Sequence, residues 1–228
     1  MKKSFSLIEL IIVILIVSIL YSSISFSLVD TSLNQVADQL ISHINYTRHL
    51  AIKDNKMQYY PINNSKIEMN RSKYWFKQWW QLRIGKNSND YFYEIFSDSP
   101  YSTSNIFNKI GGPVSEYAID PYNYLYMAGN YKVKPDKELN LSYYNIKIVK
   151  FNDKTLKSGS IRLIFDNYGN LYVSEGDKGD AGDINPYNKD KRVPLLKKSK
   201  IILCQDNDCN KEIKICLSPR IGYINVCK

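Results

Sequence analysis

Histidine is scarce in this 228-residue chain: His43 and His49 are the only two. Six residues apart on a helix, they do not share a face. The chain contains no G-x-x-x-x-G-K-[ST], H-E-x-x-H or G-x-S-x-G, so the phosphate loop, the helical zinc site and the nucleophile elbow have no sequence basis. The expectation is a protein that is not an enzyme and carries no cofactor. Neither glycine nor proline occurs before Pro61, and the first glycine is Gly85. Nothing therefore interrupts a helix from Phe5 to about Asn55. Cysteine is absent until Cys204.

The four cysteines, Cys204, Cys209, Cys216 and Cys227, fall within CQDNDCNKEIKICLSPRIGYINVC. An even number at one end of an otherwise cysteine-free chain reads as a disulfide staple formed in an oxidising compartment, or as a metal knot. Structural zinc sites pair their ligands at short spacings such as C-x₂-C. Here four, six and ten residues intervene and no histidine is near, which favours disulfides. Cys204 to Cys209 and Cys216 to Cys227 is one of three possible connectivities. A hydrophobic content of 44% suffices for one ordinary core. Nineteen tyrosines and Asn-rich polar stretches suit a surface-exposed β-rich domain.

The N-terminal run MKKSFSLIELIIVILIVSIL carries an acid, Glu9, near its start. From Phe5 to Val29 the residues are almost all Ile, Leu, Val, Phe or Ser, enough to span about 30 Å of hydrocarbon as a helix. Lys2 and Lys3 precede it, and the positive-inside rule then keeps the N-terminus cytoplasmic. A cleaved signal peptide has a shorter apolar region closed by an A-x-A-type site; the small-residue stretch here, SSISFS, lacks alanine. A plain anchor accounts for length and orientation but gives no reason for a carboxylate in oil, where ionisable groups are costly and generally functional.

SFSLIELIIVILIVSIL resembles the class III signal of type IV pilins and type II secretion pseudopilins. The resemblance implies removal of a short basic leader by a prepilin peptidase between Ser4 and Phe5. It also implies N-methylation of Phe5 and a Glu at the fifth mature position, which is Glu9. Ser4 stands where the family usually has Gly. Cleavage would create an α-amino group, charged near neutral pH, that pairs with Glu9 of a neighbouring subunit in the assembled filament. In low dielectric such a pair is strongly attractive.

Past Val29 the pattern becomes amphipathic, with Leu33, Val36, Ala37, Leu40, Ile44, Thr47 and Ala51 recurring at three and four. A helix of about 50 residues is about 75 Å long, its first half in lipid and its second half docked on a globular domain. Pro61 and the INNS after it end the helix. QWWQLRI and YFYEIF, joined by GKNSND, read as a hairpin, and NIKIVKF, GSIRLIFDNYGNLYVS, KSKIILC, EIKIC and GYINVC read as further strands. The expected fold is α+β: a long N-terminal helix packed on a C-terminal antiparallel β-sheet domain, pilin-like. Its parts are a leader (1–4), a transmembrane half-helix (5–29), an amphipathic half-helix (30–56) and a periplasmic β-rich domain with a disulfide-tied end (57–228).

YTRHLAIKDNK, WWQLRI, IRLIFDNYGNLYV and ICLSPRIGYINVC further resemble the H-type minor pseudopilins and FimT-type minor pilins. The resemblance implies a minor subunit of a type IV pilus, type II secretion or DNA-uptake filament. Such a protein sits in the bacterial inner membrane as a single-pass protein with its C-terminal domain periplasmic, and is filament-associated after assembly. Its partners are other pilin-like subunits, the prepilin peptidase and the inner-membrane assembly platform.

Three further patterns carry candidate chemistry. SEGDKGDAGD places Asp177, Asp180 and Asp183, with Glu175, in a glycine-rich loop. Calcium takes such oxygens, but the spacing is not that of an EF-hand, and a solvated loop is the plainer reading. Trp75, Trp79 and Trp80 lie among Arg71, Lys73, Lys77 and Arg83, a mixture that suits single-stranded nucleic acid, although strand alternation buries at least one Trp in the core. Without Lys2 and Lys3, 29 basic residues face 22 acidic ones, a net +7, and from Lys189 to Lys228 ten basic residues face four acidic ones. Within this tail Lys197, Lys198, Lys200, Lys214, Arg220 and Lys228 are the candidates for holding DNA phosphates by counterion release. FimT-type pilins are linked to DNA capture through a Gly-Arg-rich end, so the alternative function is the DNA receptor of a transformation pilus. Here Gly222 is followed by Tyr223, with Arg220 ahead of the glycine.

Overall fold

The computed structural model describes residues 7–57, 60–73, 75–87, 90–97, 116–129, 136–176, 197–219 and 223–227, with side chains of α1 placed over 7–21 and from Ser32 onward. Helix α1 runs unbroken over Leu7–Lys53. Among the described residues no helix is long and apolar enough to cross a membrane; the placed apolar stretch, 7–21, is shorter than the run in the sequence. In the second half of α1, Val36, Ala37, Leu40, Ile44, Thr47 and Ala51 are buried at the three-and-four spacing expected of a docked face. Thr47 satisfies its hydroxyl on the carbonyl of His43. The helix ends where Asn55 Oδ1 accepts the N–H of Met57 in an Asx turn.

A short helix, α2 (Lys66–Lys73), follows. Ser65 caps it, its Oγ accepting from the N–H of Glu68 at 3.2 Å. Among the described residues ten strands follow: β1 (Trp80–Lys86), β2 (Tyr91–Ser97), β3 (Glu116–Tyr117), β4 (Ile148–Phe151), β5 (Lys154–Thr155), β6 (Ser160–Phe165), β7 (Leu171–Gly176), β8 (Ser199–Cys204), β9 (Glu212–Leu217) and β10 (Ile224–Val226). They form two five-stranded sheets, ordered β3-β2-β1-β6-β7 and β10-β9-β8-β4-β5, and the named strand pairs are antiparallel. The α+β class and the antiparallel pairing are as expected. The single sheet is corrected to two, because β6 returns to pair with β1 while β8 pairs back to β4.

Both sheets turn their apolar faces to one core shared with α1. Leu82, Ile84, Tyr93, Ile95, Leu163 and Phe165 line it from the first sheet, and Val149, Phe151, Ile201, Leu203, Ile215 and Leu217 from the second. The β6–β7 turn is pinned to α1. Asp166 Oδ1 accepts from the N–H groups of Tyr168 and Asn170, and Arg48 Nε donates to the carbonyl of Gly169 at 3.2 Å. Gly169 has φ +79, a left-handed conformation that favours glycine, and a Cβ there would stand 2.8 Å from Arg48 Nε, so a larger residue would also have to displace the Arg48 side chain. Just past the C-terminus of α1, Trp80 Nε1 donates to Asp54 Oδ2 at 2.9 Å. Two disulfides, Cys204–Cys209 and Cys216–Cys227, tie the second sheet. In the loop-closure picture the wider one contributes about 3 kcal/mol.

Strand β2 is buried along its whole length. Its outer face presents Glu94, 2% exposed, directly across from Arg83 on β1. Arg83 Nε lies 2.6 Å from Glu94 Oε1, a close ion pair whose N–H is not aligned as a hydrogen bond. Burial raises the Glu94 carboxyl above its ordinary range, and Arg83 and Arg162 offset this only in part.

Candidate functional site

The described side chains of residues 7–21 in α1 stand apart from the core. Leu7 is 78% exposed, Leu20 58%, and the large apolar residues between them are exposed by 48% or more. So continuous an apolar surface marks a site that lipid or another protein covers. Ser18 keeps its hydroxyl on the carbonyls of Ile14 and Leu15, so it offers no stray donor to an apolar neighbour. Glu9 lies in the first turn of α1, where the helix dipole favours a negative charge, and is exposed. Ser4 and Phe5 lie outside the described residues.

The basic end divides. Lys197 and Lys198 are exposed ahead of β8. Lys200 and Lys214 alternate with inward-facing Ile201, Ile213 and Ile215, which places them on the outer face of the second sheet. Each has an acidic neighbour: Lys200 Nζ lies 2.9 Å from Asp153 Oδ1, and Lys214 pairs with Glu212. Arg220 and Lys228 lie outside the described residues, as do Asp177, Asp180 and Asp183. The structure adds Lys150, absent from the sequence candidates. It faces Ile202, which faces Lys214, so the two lysines stand two strands apart, about 10 Å, in one row. The alternation in NIKIVKF was the available signal.

Cys204, Cys209 and Glu212 also cluster, but both sulfurs are spent on a disulfide, so they offer no thiolate to a metal. Trp79 and Trp80 are 6% and 4% exposed, in agreement with the core reading of the tryptophans.

A groove of about 540 Å³ opens beside α1 and is unannounced by any sequence motif. Gln39 and His43 line it from the helix, Asp120 and Tyr122 from the loop after β3, and Glu138 and Tyr144 from two one-turn helices before β4. The loop is rigidly built: Asp120 Oδ1 accepts the N–H of Tyr122 at 2.7 Å, and Asn123 Oδ1 accepts that of Leu125. Behind it, Asn123 Nδ2 donates to Asp136, itself 2% exposed. His43 Nδ1 lies 2.8 Å from the hydroxyl of the buried Tyr93. Burial pushes the Tyr93 hydroxyl well above its ordinary range. Burial lowers the His43 pKa below 6.5, with Asp120 and Asp136 opposing the shift.

A histidine held neutral by the fold supports stability fully above its unfolded pKa and less as pH falls through the folded value. Unfolding free energy by urea titration should therefore decline from about pH 7.5 to about pH 5. His43→Gln, which keeps a polar group beside Tyr93, should reduce that decline; an identical slope in the variant would show that His43 does not carry it.

No family model, curated protein or solved structure matches the chain.

Proposed function

We propose that the chain is a pilin-like minor subunit of an inner-membrane filament of the type IV pilus, type II secretion or DNA-uptake kind. A prepilin peptidase cuts it between Ser4 and Phe5, and it assembles through its N-terminal helix beside other pilin-like subunits on a membrane platform. The carrying observation is the division of α1: one continuous helix whose residues from Val36 onward bury one face in a β-rich domain and whose residues 7–21 leave their large apolar side chains uncovered. A lipid bilayer solvates that half before assembly, and neighbouring helices cover it afterwards. The two disulfides fit a domain delivered to an oxidising compartment, which is where the leading Lys2 and Lys3 would send it.

Intact-mass measurement on the full chain, expressed in a bacterium that has a prepilin peptidase, tests the reading. The expected protein lacks Met1 to Ser4 and begins at Phe5 carrying one extra methyl group. Retention of Met1 to Ser4 in the membrane fraction would leave an ordinary anchored protein.

A further inference from the structure

The groove beside α1 and the lysine row of the second sheet share no residue and carry opposite charge. Asp120 and Glu138 line the groove, Asp136 stands behind it, and no described lysine or arginine lines it. In a chain of net charge +9, a concave acidic surface stands out as complementary to the rest of the molecule. Tyr122, 92% exposed, stands on its rim and Tyr144 on its wall. Tyrosine rings give large contact area for little loss of side-chain freedom and offer their faces to cations. The loop that carries Tyr122 is already held by Asp120 and Asn123, so binding need not order it.

We propose that this groove receives the outer face of the second sheet of another copy of this chain, with Lys150 and Lys214 directed at Asp120 and Glu138. Because groove and lysine row are different surfaces, the contact is heterologous, and a heterologous contact whose rotation does not close generates an open filament. The inference rests on the filament reading and names the periplasmic contact that would accompany the helix packing. Lys150 is the better anchor of the two, since Lys214 shares its charge with Glu212.

The test uses the full chain in detergent micelles, with a benzophenone side chain in place of Tyr122 and two isotopically distinct copies mixed. Photocrosslinks should join the two isotopes and map to peptides covering 147–157 or 199–217. Glu138 is exposed and contributes to the fold through its backbone carbonyl, which accepts from Gln39, so Glu138→Lys should fold. It should lower crosslink yield about tenfold, since like charges across an interface are strongly unfavourable. Lys150→Glu added to Glu138→Lys should restore much of the yield. Unchanged yield in Glu138→Lys, crosslinks that land outside those peptides, or crosslinks confined to one isotope would each overturn the proposal. So would single-stranded DNA that binds the lysine row without displacing the crosslink. Leader removal is scored on the same sample, so a trimmed subunit that fails to crosslink sinks this contact and leaves the filament reading standing.

Discussion

Glu9→Gln protein, with its leader trimmed as in the wild type, should enter sheared filaments at about one hundredth of the wild-type level or less. Trimming at Phe5 would create a cationic amine at the N-terminus of an apolar segment, and burial among neighbouring helices in a filament would leave that charge out of reach of water. The carboxylate of a neighbouring Glu9 is the counter-charge the sequence provides. Removing one member of a buried pair costs about 3–5 kcal/mol, because the survivor stays charged in low dielectric. That cost corresponds to about two to four orders of magnitude in an assembly equilibrium. Glutamine has nearly the same shape, so packing is unchanged and the charge is what the substitution reads. Glu9→Asp should give an intermediate level, since the charge is kept and the reach shortened. The measurement is the ratio of subunit in sheared filaments to subunit in membranes, with mass spectrometry confirming removal of residues 1–4 in each variant. Equal ratios for wild type and Glu9→Gln would remove the electrostatic basis of the assembly reading.

The parts of the fold that could be read in advance are those written by local rules. Val36, Ala37, Leu40, Ile44, Thr47 and Ala51 repeat at helical spacing, and they are the buried face of α1. The hairpin of β1 and β2 and that of β6 and β7 join neighbours in sequence through short polar turns, so alternation and turn chemistry suffice to place them. Two sheets in place of one come from the pairing of β1 with β6 and of β4 with β8, contacts that no window of sequence contains. Helix α2 is too short and polar to show a period, although Ser65 and Glu68 form a recognisable start signal in hindsight. The groove was illegible for the same reason as the sheets: His43, Asp120, Glu138 and Tyr144 are brought together from α1 and the segments between β3 and β4. Glu94 was hidden differently. YFYEIF reads as a strand of a hairpin, and nothing in its pattern shows that β2 is buried along its whole length with its acid inside.

That acid sets the second large effect. Arg83→Ala should destabilise the full chain by about 3 kcal/mol, the lower end of the range for breaking a buried pair, because Arg162 still offsets part of the Glu94 charge. The electrostatic deficit should shrink as pH falls from the variant's raised folded pKa towards the ordinary glutamate value of 4.5, below which Glu94 is protonated in folded and unfolded chains alike. Its folded pKa is already raised by burial, and loss of Arg83 raises it further, so the variant sheds its penalty at a higher pH than an ordinary glutamate would allow. The companion variant Arg83→Met with Glu94→Leu should lie within about 1 kcal/mol of the wild type or above it, since an apolar pair of similar volume escapes the desolvation cost of both charges. Arg83 also sits over the ring of Phe92 at 5.6 Å, and methionine keeps an apolar contact there that alanine loses. Chemical unfolding followed by tryptophan fluorescence reports the difference directly, because Trp79 and Trp80 are buried at the start of β1. If Arg83→Ala costs no more than an exposed Lys→Ala elsewhere, Glu94 is solvated in the folded chain and the buried-pair description of β2 is wrong. If the double variant is as unstable as the single one, the loss lies in packing against Phe92 and not in the charge that Arg83 leaves behind.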